Sequence, residues 1–228
     1  MHQSNRQIIV KNLGKIDYQS AWDYQEKLFA ANLKNKVEGK PTVNWLLFCE
    51  HDHVYTLGKS GSENNLLVNN HQLQKLKVGF IKTNRGGDIT YHGPGQIVGY
   101  PIFDLENFGL GIRGYIELLE ESIISVIGQF GLKGERLAGA TGVWLDAGAP
   151  GKARKICAIG VKASRHITMH GFAFNVNTNL DFFNYINPCG FTDKTVTSLK
   201  KELGEEQDFK KVLKLVEKSV IQMFSGIR

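Results

Sequence analysis

Lys155-Ile156-Cys157-Ala158-Ile159-Gly160-Val161-Lys162 and, a short turn later, His170-Gly171-Phe172-Ala173-Phe174-Asn175-Val176 decide the architecture. In the second stretch Phe172, Phe174 and Val176 alternate with small or polar residues, the signature of a strand with one buried face. In the first, a regular strand places Lys155, Cys157, Ile159 and Val161 on one face. Working outward, Gly142–Asp146 reads as a short strand, and Ala147-Gly148-Ala149-Pro150-Gly151 as the turn leading into Lys155–Ser164. Upstream, Val43–Glu50, Val54–Leu57, Gly79–Thr83 and Gln96–Phe103 are strand-like. Tyr18–Lys36 has Trp22, Leu28, Phe29 and Leu33 at helical spacing, with Ser20 as a cap near its start. Leu66–Lys77 reads as a short helix. Ile112–Phe130 is the clearest helix, with Ile116, Leu119, Ile123, Val126, Ile127 and Phe130 along one stripe and Glu117, Glu120 and Glu121 in its first turns. Phe209–Phe224 is an amphipathic terminal helix, and Leu180–Thr197 is irregular. Strands separated by single helices predict a mixed α/β (α+β) architecture around one sheet, in a single domain over 1–228.

The chain has 228 residues, 42% hydrophobic and 22% charged, enough for a core without covalent staples. Three cysteines in a chain of this size do not make a disulfide framework and point to a reducing compartment. Met1–Lys15 has no apolar segment of signal-peptide type, and no apolar run approaches the ~18 residues that span a bilayer. The expectation is a cytoplasmic protein with no membrane contact. The net charge of +6 favours acidic partners. The basic residues are spread along the chain, apart from Lys152-Ala153-Arg154-Lys155 and the group Lys200, Lys201, Lys210, Lys211 and Lys214. Charge alone does not choose between nucleic acid and an acidic protein.

Four segments carry candidate chemistry. Arg85-Gly86-Gly87-Asp88-Ile89-Thr90-Tyr91-His92-Gly93-Pro94-Gly95-Gln96 lies between two strands and packs four glycines into its first 11 residues. It admits two readings: a tight hairpin with glycines at positive φ, or a backbone laid close to a ligand with free amides for an oxyanion. It matches neither the G-x-x-x-x-G-K-[ST] nor the G-x-G-x-x-G phosphate motif. Lys155 is either a solvated strand end or an ammonium aimed into a pocket, where it would favour a neighbouring thiolate. Cys157 and Cys49 read as small buried hydrophobes. The turn Asn187-Pro188-Cys189-Gly190 presents a loop thiol instead. His170 is either a pocket residue or a satisfied core histidine. Cys49, His51 and His53 match no common zinc spacing, so no metal is expected.

Three of these blocks together, R-G-G-x-x-T-x-H-G-P-G-Q at Arg85–Gln96, K-I-C-A-I-G at Lys155–Gly160 and N-P-C-G at Asn187–Gly190, resemble the lipoyl(octanoyl) transferase family over about Val43 to Leu199. The resemblance implies a mixed sheet flanked by helices, like the catalytic domain of biotin and lipoate protein ligases. It implies Cys189 as nucleophile and Lys155 as its partner. The acyl-binding segments would be Arg85, Gly86, Gly87, Asp88, Ile89, Thr90, Tyr91 and His92, then Ala158, Ile159 and Gly160, then Gly171, Phe172 and Ala173. It further implies octanoyl-acyl carrier protein as donor. The acceptors would be lipoyl domains of 2-oxoacid dehydrogenase complexes and the glycine cleavage H protein. Neither cofactor, metal nor nucleic acid is needed. A thioester donor is already activated, so the expected route is attack by Cys189, release of the carrier thiol and capture of the acyl group by a lysine amine. Phe172 and Phe174 are the candidate walls of an acyl tunnel, and amides near Gly160 or in the Gly86-Gly87 loop the candidate oxyanion donors. The competing reading is an ATP-dependent lipoate or biotin ligase of the same fold, which needs no cysteine nucleophile.

Overall fold

The computed structural model describes residues 5–187 and 194–227. A large mixed sheet runs in the order β1 (Ile8–Lys15), β2 (Asn44–Glu50), β6 (Gln96–Ile102), β10 (Ile167–Asn175), β9 (Arg154–Ser164), β8 (Ala140–Leu145) and β7 (Glu135–Leu137), with β11 (Thr195–Val196) also on β9. β1 joins β2, and β11 joins β9, in parallel; the other pairings are antiparallel. A second sheet orders β4 (Gly79–Lys82), β3 (Val54–Leu57) and β5 (Ile89–His92).

Helix α3 (Ile112–Gly128) and helix α5 (Phe209–Ser225) cover one face of the large sheet. Their buried rows, Tyr115, Leu119, Ile123, Val126 and Ile127 on α3 and Val212, Val216, Val220 and Phe224 on α5, repeat at helical spacing. They meet Leu46, Phe48, Ile97, Val143, Cys157 and Phe174. Helix α1 (Tyr18–Val37) covers part of the other face, where Ala21 and Phe29 meet Leu47, Val98, Tyr100, Ile102 and Met169. Each fully buried side chain of this kind contributes roughly 1.5–3 kcal/mol. Helix α2 (Asn70–Leu76) opens on an Asn69–Gln72 capping box and closes the small sheet with Leu73. The short α4 (Leu199–Leu203) follows the cap Ser198.

Local readings differ from the structure at definable points. Asp17, not Ser20, caps α1, and its carboxylate accepts from the Ser20 amide at 2.9 Å. The predicted helix over Leu66–Lys77 begins only at Asn70. The glycine-dense block contains strand β5. The irregular stretch after Asn179 holds a 3-10 turn, Leu180–Tyr185, and β11. No acid lies in the first turn of α3, and Glu120 is buried. Strand β9 is not regular: Val143 pairs with Cys157 while the next residue, Trp144, pairs with Lys155, so Ile156 is the extra residue of a β-bulge. The bulge reverses the alternation, and Lys155 lies opposite to the face of Cys157 rather than beside it.

Candidate active site

The face of the large sheet left open beside α1 is roofed by the small sheet and the 3-10 turn Leu180–Tyr185. Between them lies a cavity of about 780 Å³, within the range of small-molecule sites. Alternation supplies its floor. Where β9 and β10 pair, Phe174 and Cys157 turn into the α3–α5 core, and the opposed Ala158 and Ala173 are left on the cavity side. Phe174 is fully buried and does not border the cavity; Phe172 touches its edge but packs on Phe48, with ring centroids 6.4 Å apart. The small residues, not the aromatic ones, therefore make the space.

Of the residues marked in the sequence, Arg85–Thr90, His92, Lys155, Ala158–Gly160 and Gly171–Ala173 all border this one cavity. Tyr91 does not. Its ring stacks on Phe182 and its hydroxyl meets His53 Nδ1 at 2.7 Å, inside the small-sheet core. Cys189 lies outside the described residues; on either side of it, Asn187 and Lys194 border the cavity.

The loop rests directly on the sheet. The Gly86 amide donates to Val161 O at 2.9 Å, so it is not available to an oxyanion. A Cβ at Gly160 would come within 2.8 Å of Gly86 O, which explains a glycine there. Arg85 is buried and staples the loop: Nη2 donates to Thr56 O at 2.6 Å and Thr56 Oγ1 at 2.9 Å, and Nη1 to Gly86 O at 3.0 Å. From Thr56 the polar network continues to His92 Nε2 at 3.3 Å, while His92 Nδ1 meets Gln96 Oε1 at 2.8 Å. Gln96 Nε2 donates to Asn175 Oδ1 at 2.9 Å, and Asn175 Nδ2 to Thr197 O at 3.0 Å. With Gln96 Oε1 accepting, the network assigns the proton of His92 to Nδ1. Burial, reinforced by His51, Arg85 and His170, holds the His92 pKa well below the ordinary value, so the ring is neutral.

His170 sits in β10 with a left-handed backbone, φ 58°, costly for a non-glycine residue. Its amide donates to Gln25 Oε1 at 3.0 Å and its Nε2 meets Asn84 Oδ1 at 2.6 Å. Burial first, then Arg85 and Lys162, lowers its pKa to about 3. It is thus both a cavity residue and a buried, neutral histidine.

Lys155 Nζ donates to Thr141 O at 3.2 Å and lies 4.7 Å from the centre of the Trp144 ring, a cation–π contact. Its bulge-directed face is the cavity face. Cys49 and Cys157 are buried, and burial pushes both thiols far above their usual range, so neither supplies a thiolate. Among the described residues no group of three His, Cys, Asp or Glu side chains converges as a metal site. Residues that sequence reasoning passed over are Thr141, Trp144, Leu180 and Phe183, which border the cavity from β8 and the 3-10 turn. Nothing in their local pattern marks them.

A mixed sheet of this order, with a small sheet across one face and Lys155 at the cavity between them, defines an α/β domain built around one small-molecule-sized cavity. The family model described as the lipoyl protein ligase A/B catalytic domain matches residues 17–221. Among solved structures, a bipartite lipoate protein ligase from Thermoplasma acidophilum superimposes with a TM-score of 0.65 at 14% identity, covering 97% of this chain and 82% of its own. An octanoyltransferase from Parabacteroides distasonis is 60% identical over 198 residues, 87% of this chain and 90% of its own length. One from Porphyromonas gingivalis is 59% identical over 208 residues; that match is 91% of this chain but 42% of the relative. The chain belongs to the lipoyl protein ligase A/B catalytic-domain family, among its octanoyltransferases, and is an acyltransferase.

Proposed function

We propose that the chain, acting as one catalytic domain over 1–228, moves an octanoyl group from octanoyl-acyl carrier protein to a lysine of a lipoyl domain through an acyl-Cys189 thioester. The observation that carries this reading is one cavity that gathers Lys155, Arg85–Thr90 with His92, and both described flanks of Cys189. A free thiol titrates near pKa ~8.5 and is mostly protonated at neutral pH. An ammonium facing the same cavity favours its thiolate.

In this scheme the Cys189 thiolate attacks the carrier thioester carbonyl, the C–S bond to the carrier breaks, and the departing carrier thiolate takes the proton of the Lys155 ammonium. The acceptor amine then attacks the Cys189 thioester, loses a proton to the now neutral Lys155, and forms the amide as Cys189 leaves as thiolate beside the restored ammonium. The activated donor makes ATP unnecessary. The apolar floor at Ala158 and Ala173 houses the acyl chain, each buried CH₂ contributing ~0.8 kcal/mol. The basic balance of the chain suits an acidic carrier and acidic lipoyl domains, those of 2-oxoacid dehydrogenase complexes and of the glycine cleavage H protein, in the cytoplasm. No helix among the described residues is long and apolar enough to cross a membrane.

Intact-mass spectrometry of the purified protein with octanoyl-carrier protein, without ATP, tests the route. The expected result is a gain of one octanoyl group, absent in Cys189→Ala and discharged by a lipoyl domain. Normal turnover by Cys189→Ala would overturn the thioester route, and dependence of transfer on ATP would favour a ligase.

A further inference from the structure

The Thr141–Gly142 peptide unit faces two charged groups at once. Its carbonyl, Thr141 O, accepts from Lys155 Nζ at 3.2 Å; its amide, Gly142 N, donates to Glu120 Oε1 at 2.9 Å. Glu120 belongs to α3, one turn beyond Ile116, which borders the cavity, and its side chain is only 7% exposed. The other carboxylate oxygen, Oε2, accepts from Arg136 Nε at 3.1 Å. A buried carboxylate is costly unless fully bonded. Here an arginine and a backbone amide satisfy it.

The backbone is shaped for this arrangement. Gly142 has φ 127°, and a Cβ there would come within 2.5 Å of Cys157 O and 3.5 Å of the Lys155 Cδ and Cε atoms. The Cys157 carbonyl and the positive φ thus require glycine at 142, and the lysine stem lies alongside at van der Waals distance. The bulge at Ile156 turns Lys155 to this face, and Trp144, anchored by Nε1 donating to Ala140 O at 2.8 Å, covers the ammonium. A carboxylate bonded to the N–H end of a peptide enriches the electron density at its carbonyl end, because peptide hydrogen bonds polarise one another. Negative charge behind the amide therefore strengthens the acceptor in front of Lys155.

The structure assigns Glu120 as a positioning residue for Lys155, acting through the Thr141–Gly142 peptide that lies between them. This rests on the reading of Lys155 as the partner of the Cys189 thiol. Glu120 touches no reacting atom; it holds the peptide that holds the ammonium.

The test uses the full chain and octanoyl-carrier protein, with acyl-enzyme formation followed by rapid-quench intact mass across pH. Glu120→Gln keeps the shape and an acceptor for Gly142 N but removes the charge. Acylation at neutral pH is expected to fall about 10- to 100-fold, the scale of a catalytic group loosened rather than removed, with KM for the carrier unchanged. The pH–rate profile is expected to narrow from both sides. The thiolate forms at higher pH beside a poorly held ammonium, and the ammonium loses its proton at lower pH. Combining Glu120→Gln with Lys155→Ala is expected to cost nothing beyond Lys155→Ala alone, whereas a purely structural role gives independent, additive losses. If Glu120→Gln does not fold, Glu120→Asp keeps the charge but draws the carboxylate back from Gly142 N, and is expected to narrow the profile in the same way. Full activity in Lys155→Ala would remove the reading of Lys155 and the relay with it. Loss in Lys155→Ala beside a wild-type profile in Glu120→Gln, or in Glu120→Asp where Glu120→Gln does not fold, would overturn the relay alone.

Discussion

Replacing Ala173 with leucine probes what the cavity measures. Ala173 stands opposite Ala158 on the floor between β9 and β10, and its neighbours in sequence, Phe172 and Phe174, are committed to the other side of the sheet. Leucine adds three carbons to the cavity face. If they take the place of three methylenes of the acyl chain, the lost burial is about 2.4 kcal/mol, at ~0.8 kcal/mol for each CH₂. That is about a 50-fold shift in relative kcat/KM, with 1.4 kcal/mol for each factor of ten. The assay offers octanoyl- and pentanoyl-carrier protein together and reads the two acylated lipoyl-domain products by mass in one spectrum. The ratio is expected to move toward the shorter chain. Phe174→Leu is the control: it thins the α3–α5 core, lowers stability and leaves the ratio alone. An unchanged ratio in folded Ala173→Leu would refute the assignment of this floor to the acyl chain.

Two further outcomes follow from the buried polar network. Arg85→Lys removes the fork that spans Thr56 and Gly86 and is expected to destabilise the fold by about 2–4 kcal/mol in urea unfolding, since bonds to a charged donor are worth more than neutral ones; a loss within about 0.5 kcal/mol, the scale of an ordinary surface substitution, would show that the staple is redundant. Burial lowers the pKa values of His51, His92 and His170, the last to about 3, so each binds a proton less tightly in the folded state than in the unfolded chain, which takes up protons below about pH 6.5. Folded-state affinity for protons is the weaker one, so stability falls as pH drops below that point, by up to about 1.4 kcal/mol per pH unit for each histidine, and levels off for His170 only near pH 3. Urea midpoints at pH 7 and pH 5 with an unchanged m-value check this, and equal midpoints would contradict the neutral assignment.

Much of the architecture follows from local pattern. The stripes of α3 and α5 and the alternation of Phe172, Phe174 and Val176 each encode an element within one segment, because the periods of helix and strand are properties of the local backbone. Most residues of the Arg85–Gln96 and Lys155–Gly160 blocks border the cavity. Within Arg85–His92 Tyr91 is the exception: alternation in β5 sends its ring into the small-sheet core. Tertiary structure alone decided the rest. Strand β1 is a half-exposed edge whose pattern carries no clear period, and it forms only by pairing with β2, more than thirty residues away in the chain. The side to which Lys155 points depends on a bulge, and a bulge is a mismatch between two strands that neither strand contains by itself. The burial of Glu120 depends on α3 lying where the Gly142 amide can reach it. A chain writes its periods locally, but register, facing and the meeting of charges are set by neighbours distant in sequence.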